Sequence, residues 1–226
     1  MPNHVTTVCT VTGPTDDIEK FYQRHICNTS EDKLGVKFDD FDFETIIPKP
    51  DVVKATESGS ESDLGYFALT GKTIPRLYAH KPSMPSGLDK DATRGELMQW
   101  LLKNNPTVLA KGAATIACLK ETGSPDWYEW SIKEWGTKWG AYNYELRSRE
   151  PGKLVFKFET AWSFPTPIFE HLRTMHPSLT FTVIAFDEGW NFGVEGVFNA
   201  THTLVKKDKL LATEKLYERV YGYSPA

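Results

Sequence analysis

Two stretches in which apolar and polar residues alternate strictly, joined by a turn sequence, constrain the fold of this chain most strongly. The stretches run from Ala141 to Arg149 and from Lys153 to Thr160. Their apolar positions are Tyr142, Tyr144, Leu146, Leu154, Phe156 and Phe158. Alternation with a period of two is typical of antiparallel strands with one buried face. The sequence Glu-Pro-Gly at 150–152 favours a turn, because Pro presets φ and Gly accepts positive φ. The sequence therefore predicts a hairpin in the main sheet, with the six apolar residues facing the core.

The sequence on both sides of the hairpin predicts further strands and helices. We expect strands at 5–11, 36–43, 179–186 and 191–198, where β-branched and aromatic residues cluster. We expect helices after Thr15, from Pro167 to Pro177, and in the last segment around Leu216 and Val220. This order predicts an α+β fold: an antiparallel sheet with helices on one face, in a ferredoxin-like arrangement.

The middle of the chain differs in composition. Residues 48–63 are polar, and the prolines up to residue 85 predict an irregular insertion over 48–92. Apolar stripes then predict three short helices in a lobe over 93–136, where Thr93 and Glu96 fit a capping box. Residues 137–226 are predicted to form the ferredoxin-like sheet region. With 40% hydrophobic residues, the chain of 226 residues is predicted to form one compact unit over 1–226.

Charge, cysteine content and hydropathy limit the classes of function. The net charge of −4 argues against broad nucleic-acid binding. Three scattered cysteines indicate reduced thiols, which favours a cytoplasmic protein. No apolar run is long enough to span a bilayer, so no membrane partner is expected.

Five segments carry a resemblance to a known family. They read MPNHV at the start, IIPKP at 46–50, WGTKW at 135–139, TAWSFPTP at 160–167 and FDEGWNFGVEG at 186–196. With these segments the chain resembles the YubB-like family of plasmid- and phage-encoded proteins of unknown function, some of which carry a ferredoxin-like domain. Two departures are visible: Phe164-Pro165 stands where the family usually has Pro-Pro, and residues 51–92 match nothing in it. The resemblance implies an α+β fold and a bacterial mobile element as origin, and it implies no established active site.

Few residues stand out as candidates for chemistry. Asp187, Glu188 and Trp190 occupy a predicted hairpin tip, although adjacent acids before a glycine more often form the turn itself. Lys138 lies between two tryptophans and could bind an anion, although the segment also fits a helix end with Gly136 as the cap. The six histidines show no metal-ligand spacing, and no glycine loop for a nucleotide is present. The sequence thus predicts no metal, no cofactor and no catalytic residue.

Two hypotheses of function remain open. The first is a binding protein from a phage or plasmid that inhibits a host or defence-system protein without catalysis, as in counter-defence. The second is a nucleotide- or nucleic-acid-binding protein or enzyme, with a pocket near Trp135–Trp139 and Asp187–Trp190. An exposed aromatic patch would favour the first, and a pocket with converging polar groups the second. The lack of a grouped catalytic set favours a binder over an enzyme. The sequence does not indicate an oligomeric state.

Overall fold

The structure is a computed structural model that describes residues 3–31, 33–75 and 81–225. The chain divides into two compact units. Residues 1–48 and 131–226 form the first, called the sheet unit here, and residues 49–130 form the second, the helical unit. The sequence predicted one compact unit whose segments meet near residues 92 and 136, whereas the two units of the structure meet near residues 48 and 130. No helix in the described ranges is both long enough and apolar enough to cross a bilayer.

The sheet unit is built on six antiparallel strands. They are β1 (His4–Thr12), β4 (Tyr142–Glu150), β5 (Lys153–Ala161), β6 (Thr180–Asp187), β7 (Gly193–Phe198) and β8 (Thr203–Asp208). Their order across the sheet is β4-β5-β1-β6-β7-β8. The helices of this unit are α1 (Thr15–His25), α7 (Thr166–Met175) and α8 (Glu214–Tyr221), with 3-10 turns at Phe43–Thr45 and Lys209–Leu211.

The connections between these elements confirm the ferredoxin-like arrangement. Strand β1 is followed by α1, and the chain enters β4 only after the segments between residues 26 and 141. A tight turn then joins β4 to β5, and α7 carries the chain from β5 to β6. The four strands lie in the order β4-β5-β1-β6, so β1 pairs antiparallel with both β5 and β6. Strands β7 and β8 extend the sheet beyond β6. The α+β fold class and the helical lobe predicted from sequence are therefore correct.

Aromatic side chains fill the core between the sheet and the helices α1 and α7. Phe21 of α1 packs on Phe156 and Phe181, and Phe169 of α7 packs on Phe158. All five rings are fully buried. Because these residues recur at every second position of β5 and β6, the alternation in sequence set this face of the sheet.

Helix α8 packs on the opposite face of the sheet. Its buried residues Leu216 and Val220 contact Phe186 of β6. Phe186 points away from the α1 side because the neighbouring Ala185 points toward it. The prediction of helices on one face thus describes α1 and α7, whereas α8 covers part of the other face.

The predicted register of the hairpin is correct for β5 and only partly correct for β4. Leu154, Phe156 and Phe158 are fully buried, as predicted. In β4, irregular pairing lies between Tyr142 and Glu145, and Asn143 takes a φ of 54°. This bulge places Tyr142 opposite Glu159, on the face away from the core. Asn is among the few residues that tolerate positive φ, so its presence explains the bulge.

The predicted strand over 36–43 is absent from the main sheet. Only Lys37–Phe38 (β3) is extended there, and it pairs with Ser30–Glu31 (β2) in a separate two-stranded ladder. Phe41 and Phe43 are buried against β5 through contacts with Phe158. The alternating phenylalanines therefore anchor an irregular segment, because packing overrode their preference for a strand.

The helical unit contains α2 (Asp51–Lys54), α3 (Ser60–Thr70), α4 (Arg94–Asn104) and α5 (Pro106–Thr122), and α6 (Trp127–Glu134) begins in it. Thr93 and Glu96 form the predicted capping box of α4. The expectation of an irregular segment over 48–92 is wrong for α2 and α3. Helix α3 packs closely on α5 because Gly65 and Gly112 leave room for the two backbones to touch. Helix α3 was not predicted because its first turn, residues 60–63, is the end of a polar run that resembled a loop.

Candidate functional site

The four predicted site residues lie on segments that hydrogen bonds join at one end of the sheet. The backbone N–H of Trp162, after β5, donates to the carbonyl of Asn3, before β1, and that of Glu188, after β6, donates to the carbonyl of His4. Lys138 lies in the segment before β4, and its ammonium nitrogen is 4.7 Å from the ring centre of Trp162. Trp190 lies in the turn between β6 and β7. We call this region the aromatic end of the sheet.

Asp187 is a structural residue of the turn. Its carboxylate is almost fully buried and accepts hydrogen bonds from the backbone and side-chain N–H groups of Asn191, at 3.1 and 2.7 Å. The backbone N–H of Trp190 donates to the carbonyl of Asp187. These bonds are those of a turn-forming aspartate. The carboxylate thus stabilises the turn, and a role of Asp187 in binding stays a prediction.

Glu188 belongs to a polar cluster that sequence reasoning missed. Its Oε1 accepts from the backbone N–H of His4 at 2.7 Å. The His4 Nδ1 is 2.7 Å from the Tyr142 hydroxyl and 3.5 Å from Glu159 Oε2. Burial, with Glu159 and Glu188 nearby, raises the pKa of Tyr142 to about 12. Tyr142 is consequently a neutral hydrogen-bonding group at physiological pH.

Tyr221 of α8 adjoins this cluster. Burial raises its pKa, and the negative charges of Glu159 and Glu188 raise it further. The residues of the cluster come from the start of β1, the start of β4, the end of β5, the end of β6 and the end of α8. His4 and Tyr142 are separated by 138 positions, so no rule about spacing along the chain could have predicted their contact.

Lys138 is held against two tryptophans. Its ammonium nitrogen lies 4.6 Å from the ring centre of Trp139 and 4.7 Å from that of Trp162. These distances are those of cation–π contacts. Gly136 has a φ of 77°, as expected of the cap at the end of α6. Trp135 is buried and donates from its indole nitrogen to the carbonyl of Ile47. Trp135 is thus a core residue, whereas Trp162 is 44% exposed and is not.

Two exposed tryptophans have unfavourable backbone angles. Trp162 has a φ of 67° and Trp190 a φ of 58°. Positive φ costs roughly 1–2 kcal/mol for a residue with a Cβ and is a genuine outlier for a bulky side chain. Such strain concentrates at functional sites. Since glycine would fit both positions without strain, the indole rings themselves are what these two positions supply.

A layer of tyrosines from the end of the chain adjoins Trp190. The rings of Trp190 and Tyr217 stack with an interplanar angle of 10° and a centroid distance of 5.6 Å. Tyr217 in turn contacts Tyr221 and Tyr223. Trp190 is 37% exposed and Tyr223 59%. Of the residues of α8, only Leu216 and Val220 are buried in the core. The tyrosines at 217, 221 and 223 are therefore more aromatic residues than the core needs, and this excess could have indicated a surface site from the sequence alone.

Two of the three cysteines are buried, and burial changes the protonation of their thiols. Burial raises the pKa of the Cys9 and Cys118 thiols, which keeps them protonated. Among residues 3–31, 33–75 and 81–225, no three His, Cys, Asp or Glu side chains are grouped as metal ligands.

Comparisons with known proteins add little to the site. No family model and no curated protein matches the sequence. Among solved structures, the chain is similar to the crystal structure of protein api92 from Yersinia pseudotuberculosis, which is described with the family model DUF1281. The two share 9% identity over 91% of this chain and 98% of the other, with a TM-score of 0.41. At that score the likeness carries no inference about site or activity.

Proposed function

We propose that this protein binds another macromolecule stoichiometrically through the aromatic end of its sheet and acts without catalysis. The observation that carries the proposal is the pair of strained, partly exposed tryptophans, Trp162 and Trp190. Each ring makes contacts on one side, Trp190 with Tyr217 and Trp162 with Lys138, and leaves more than a third of its surface exposed to solvent despite the unfavourable φ. Trp and Tyr are the residues that most often dominate binding at protein interfaces.

The composition of the surface supports a protein partner. Trp190, Tyr217 and Tyr223 form a contiguous aromatic layer, with Glu188 exposed beside it. Large rings surrounded by polar groups match the centre and the rim of an interface. By contrast, the polar side chains of the cluster bond to one another. The Tyr142 hydroxyl is bound to His4, and Glu159 accepts from Asn143 at 2.8 Å. Catalysis would instead require such groups to converge on a substrate.

The class of partner follows from the resemblance found in the sequence. Proteins of phages and plasmids act inside a bacterial host, so the candidates are host proteins or components of a defence system. We propose inhibition of such a component, as in counter-defence. The cytoplasm of the bacterial host is the proposed location.

The test compares wild-type protein with Trp190→Gly. Glycine keeps the positive φ and removes the ring, so the variant should fold and should lose the partner. Tagged proteins would be used to capture partners from bacterial lysate, and the captured protein would then be purified for calorimetry. We expect a stoichiometry near one and an affinity roughly 30-fold weaker for the variant, the effect of losing about 2 kcal/mol at a central aromatic residue.

The matched control is Leu102→Ser, which removes an exposed apolar side chain from the helical unit. It should bind the partner as the wild type does. Equal binding by Trp190→Gly would refute the assignment of the surface. Turnover of many target molecules by one molecule of this protein would refute stoichiometric action and favour an enzyme.

Nucleic-acid binding is the second candidate, and one contact favours it. Lys138 between Trp139 and Trp162 offers a cation beside two rings, a combination that serves single-stranded nucleic acid. The acids Glu159 and Glu188 at the same end of the sheet would repel a phosphate backbone, which is why a protein partner is preferred. A labelled oligonucleotide measured by fluorescence anisotropy at low salt separates the two candidates.

A further inference from the structure

A pair of hydrogen-bonded histidines links α1 to the end of α7, away from the aromatic end. The Nε2 atoms of His25 and His176 are 2.9 Å apart, although 151 positions separate the residues. His25 is fully buried, whereas His176 is half-buried. His176 lines a cleft of about 300 Å³ together with Asp17, Lys20, Arg24, Met175, Pro177 and Ser178.

The hydrogen bonds fix which nitrogen carries each proton. The Thr45 hydroxyl donates to the carbonyl of Asp42 at 2.7 Å, so it accepts from His25 Nδ1, also at 2.7 Å. Neutral His25 therefore has its lone pair on Nε2, and His176 must donate to it from its own Nε2. What remains on His176 is Nδ1, which can take up a proton without breaking any of these bonds.

The charges around the cleft favour an anion. Lys20 donates to Asp17 at 2.9 Å, and Ser178 donates to the other carboxylate oxygen at 2.7 Å. Asp17 is thus neutralised within the cleft. The Arg24 side chain makes no hydrogen bond or ion pair with any described residue, so its guanidinium supplies the net positive charge. Guanidinium groups bind oxyanions through two parallel N–H donors.

We propose that this cleft binds a phosphate group, held by the Arg24 guanidinium and by His176 through a protonated Nδ1. In the free protein, burial lowers the pKa of His176, and Arg24 lowers it further while Asp17 opposes this. A dianion beside the ring reverses the balance, so binding is coupled to the uptake of one proton. This inference is independent of the proposed partner at the aromatic end, and either can fail without the other.

The experiment follows the imidazole nitrogens of the full-length ¹⁵N-labelled protein by NMR while sulfate is added. Sulfate is a suitable probe because it stays a dianion over roughly pH 5 to 8, where histidine titrates. We expect the pKa of His176 to rise by about one unit or more with sulfate and not with chloride at equal ionic strength. The Nδ1 resonance should change from the acceptor to the donor form, and the His25 resonances should keep their tautomer.

Arg24→Gln is the test variant, and Arg219→Gln of α8, which removes an exposed arginine paired with Glu195, is the matched control. Arg24→Gln should weaken sulfate binding by about tenfold or more, while the control binds normally. Inorganic phosphate and phenyl phosphate then separate the two sources: equal affinity indicates free phosphate, and tighter binding of the ester indicates a phosphorylated molecule. The proposal is overturned if chloride produces the same change, if acetate binds as tightly as sulfate, or if Arg24→Gln responds like the wild type.

Discussion

Replacing His25 with glutamine is expected to make the sheet unit less sensitive to mild acid. Burial lowers the pKa of His25 from 6.5 to about 3, and the charges of His176 and Arg24 act in the same direction. Below its ordinary pKa the unfolded chain binds a proton at this residue, whereas the folded protein does not. The stability present above pH 6.5 is therefore lost progressively as the pH falls toward the folded value.

These two pKa values give the size of the effect. Between roughly pH 7 and pH 5, the free energy of unfolding should fall by about 2 kcal/mol through His25 alone. His176 adds to the fall, because its pKa is lowered as well. Carboxyl groups with lowered pKa, such as Asp17 and Glu145, lose their contribution only below about pH 5. The window above that pH consequently isolates the histidine pair.

The measurement is a series of urea titrations at several pH values, followed by tryptophan fluorescence, since Trp135 is buried in the same unit. His25→Gln should be less stable than the wild type at neutral pH and should show a flatter dependence on pH. His202→Gln, which changes an exposed histidine, is the control and should retain the wild-type slope. Equal slopes for His25→Gln and wild type would refute the argument that His25 is buried in its neutral form.

Three further substitutions test the packing and the site. Phe156→Ala should cost roughly 3–5 kcal/mol of unfolding free energy in urea titrations, whereas Leu146→Ala, on the exposed edge strand, should change it by less than about 1 kcal/mol. Gly112→Ala should destabilise the helical unit by about 1–3 kcal/mol because a Cβ would overlap the backbone of α3. Gly95→Ala, whose Cβ would make only an ordinary contact with the Thr93 hydroxyl at 3.9 Å, should raise the melting temperature, and similar effects of both changes would contradict the close crossing. Trp162→Gly should bind the partner more weakly without lowering the urea midpoint, and a large drop in that midpoint would show that the ring is structural.

Sequence patterns determined the local elements in which side-chain periodicity and burial agree. The alternation in β5, the prolines before α7 and the apolar stripe of α8 each predicted an element that is present. These signals are local, because a strand or a helix repeats its buried face every two or three to four residues. The succession of strands and helices suggested a ferredoxin-like arrangement, but the order of the strands within the sheet could not be predicted from it.

The tertiary structure decided the exceptions to periodicity and the composition of both sites. The bulge at Asn143 moved Tyr142 to the other face of the sheet, and the contact of Gly65 with Gly112 packs α3, whose first turn is polar, closely against α5. Strand β1 is central to the sheet, so it brings His4 to Tyr142, and the packing of α1 beside α7 brings His25 to His176. Such pairs are separated by more than a hundred residues in the chain. Their proximity depends on strand order and helix packing, which no local pattern encodes; the sequence alone could therefore predict the scaffold and only part of either site.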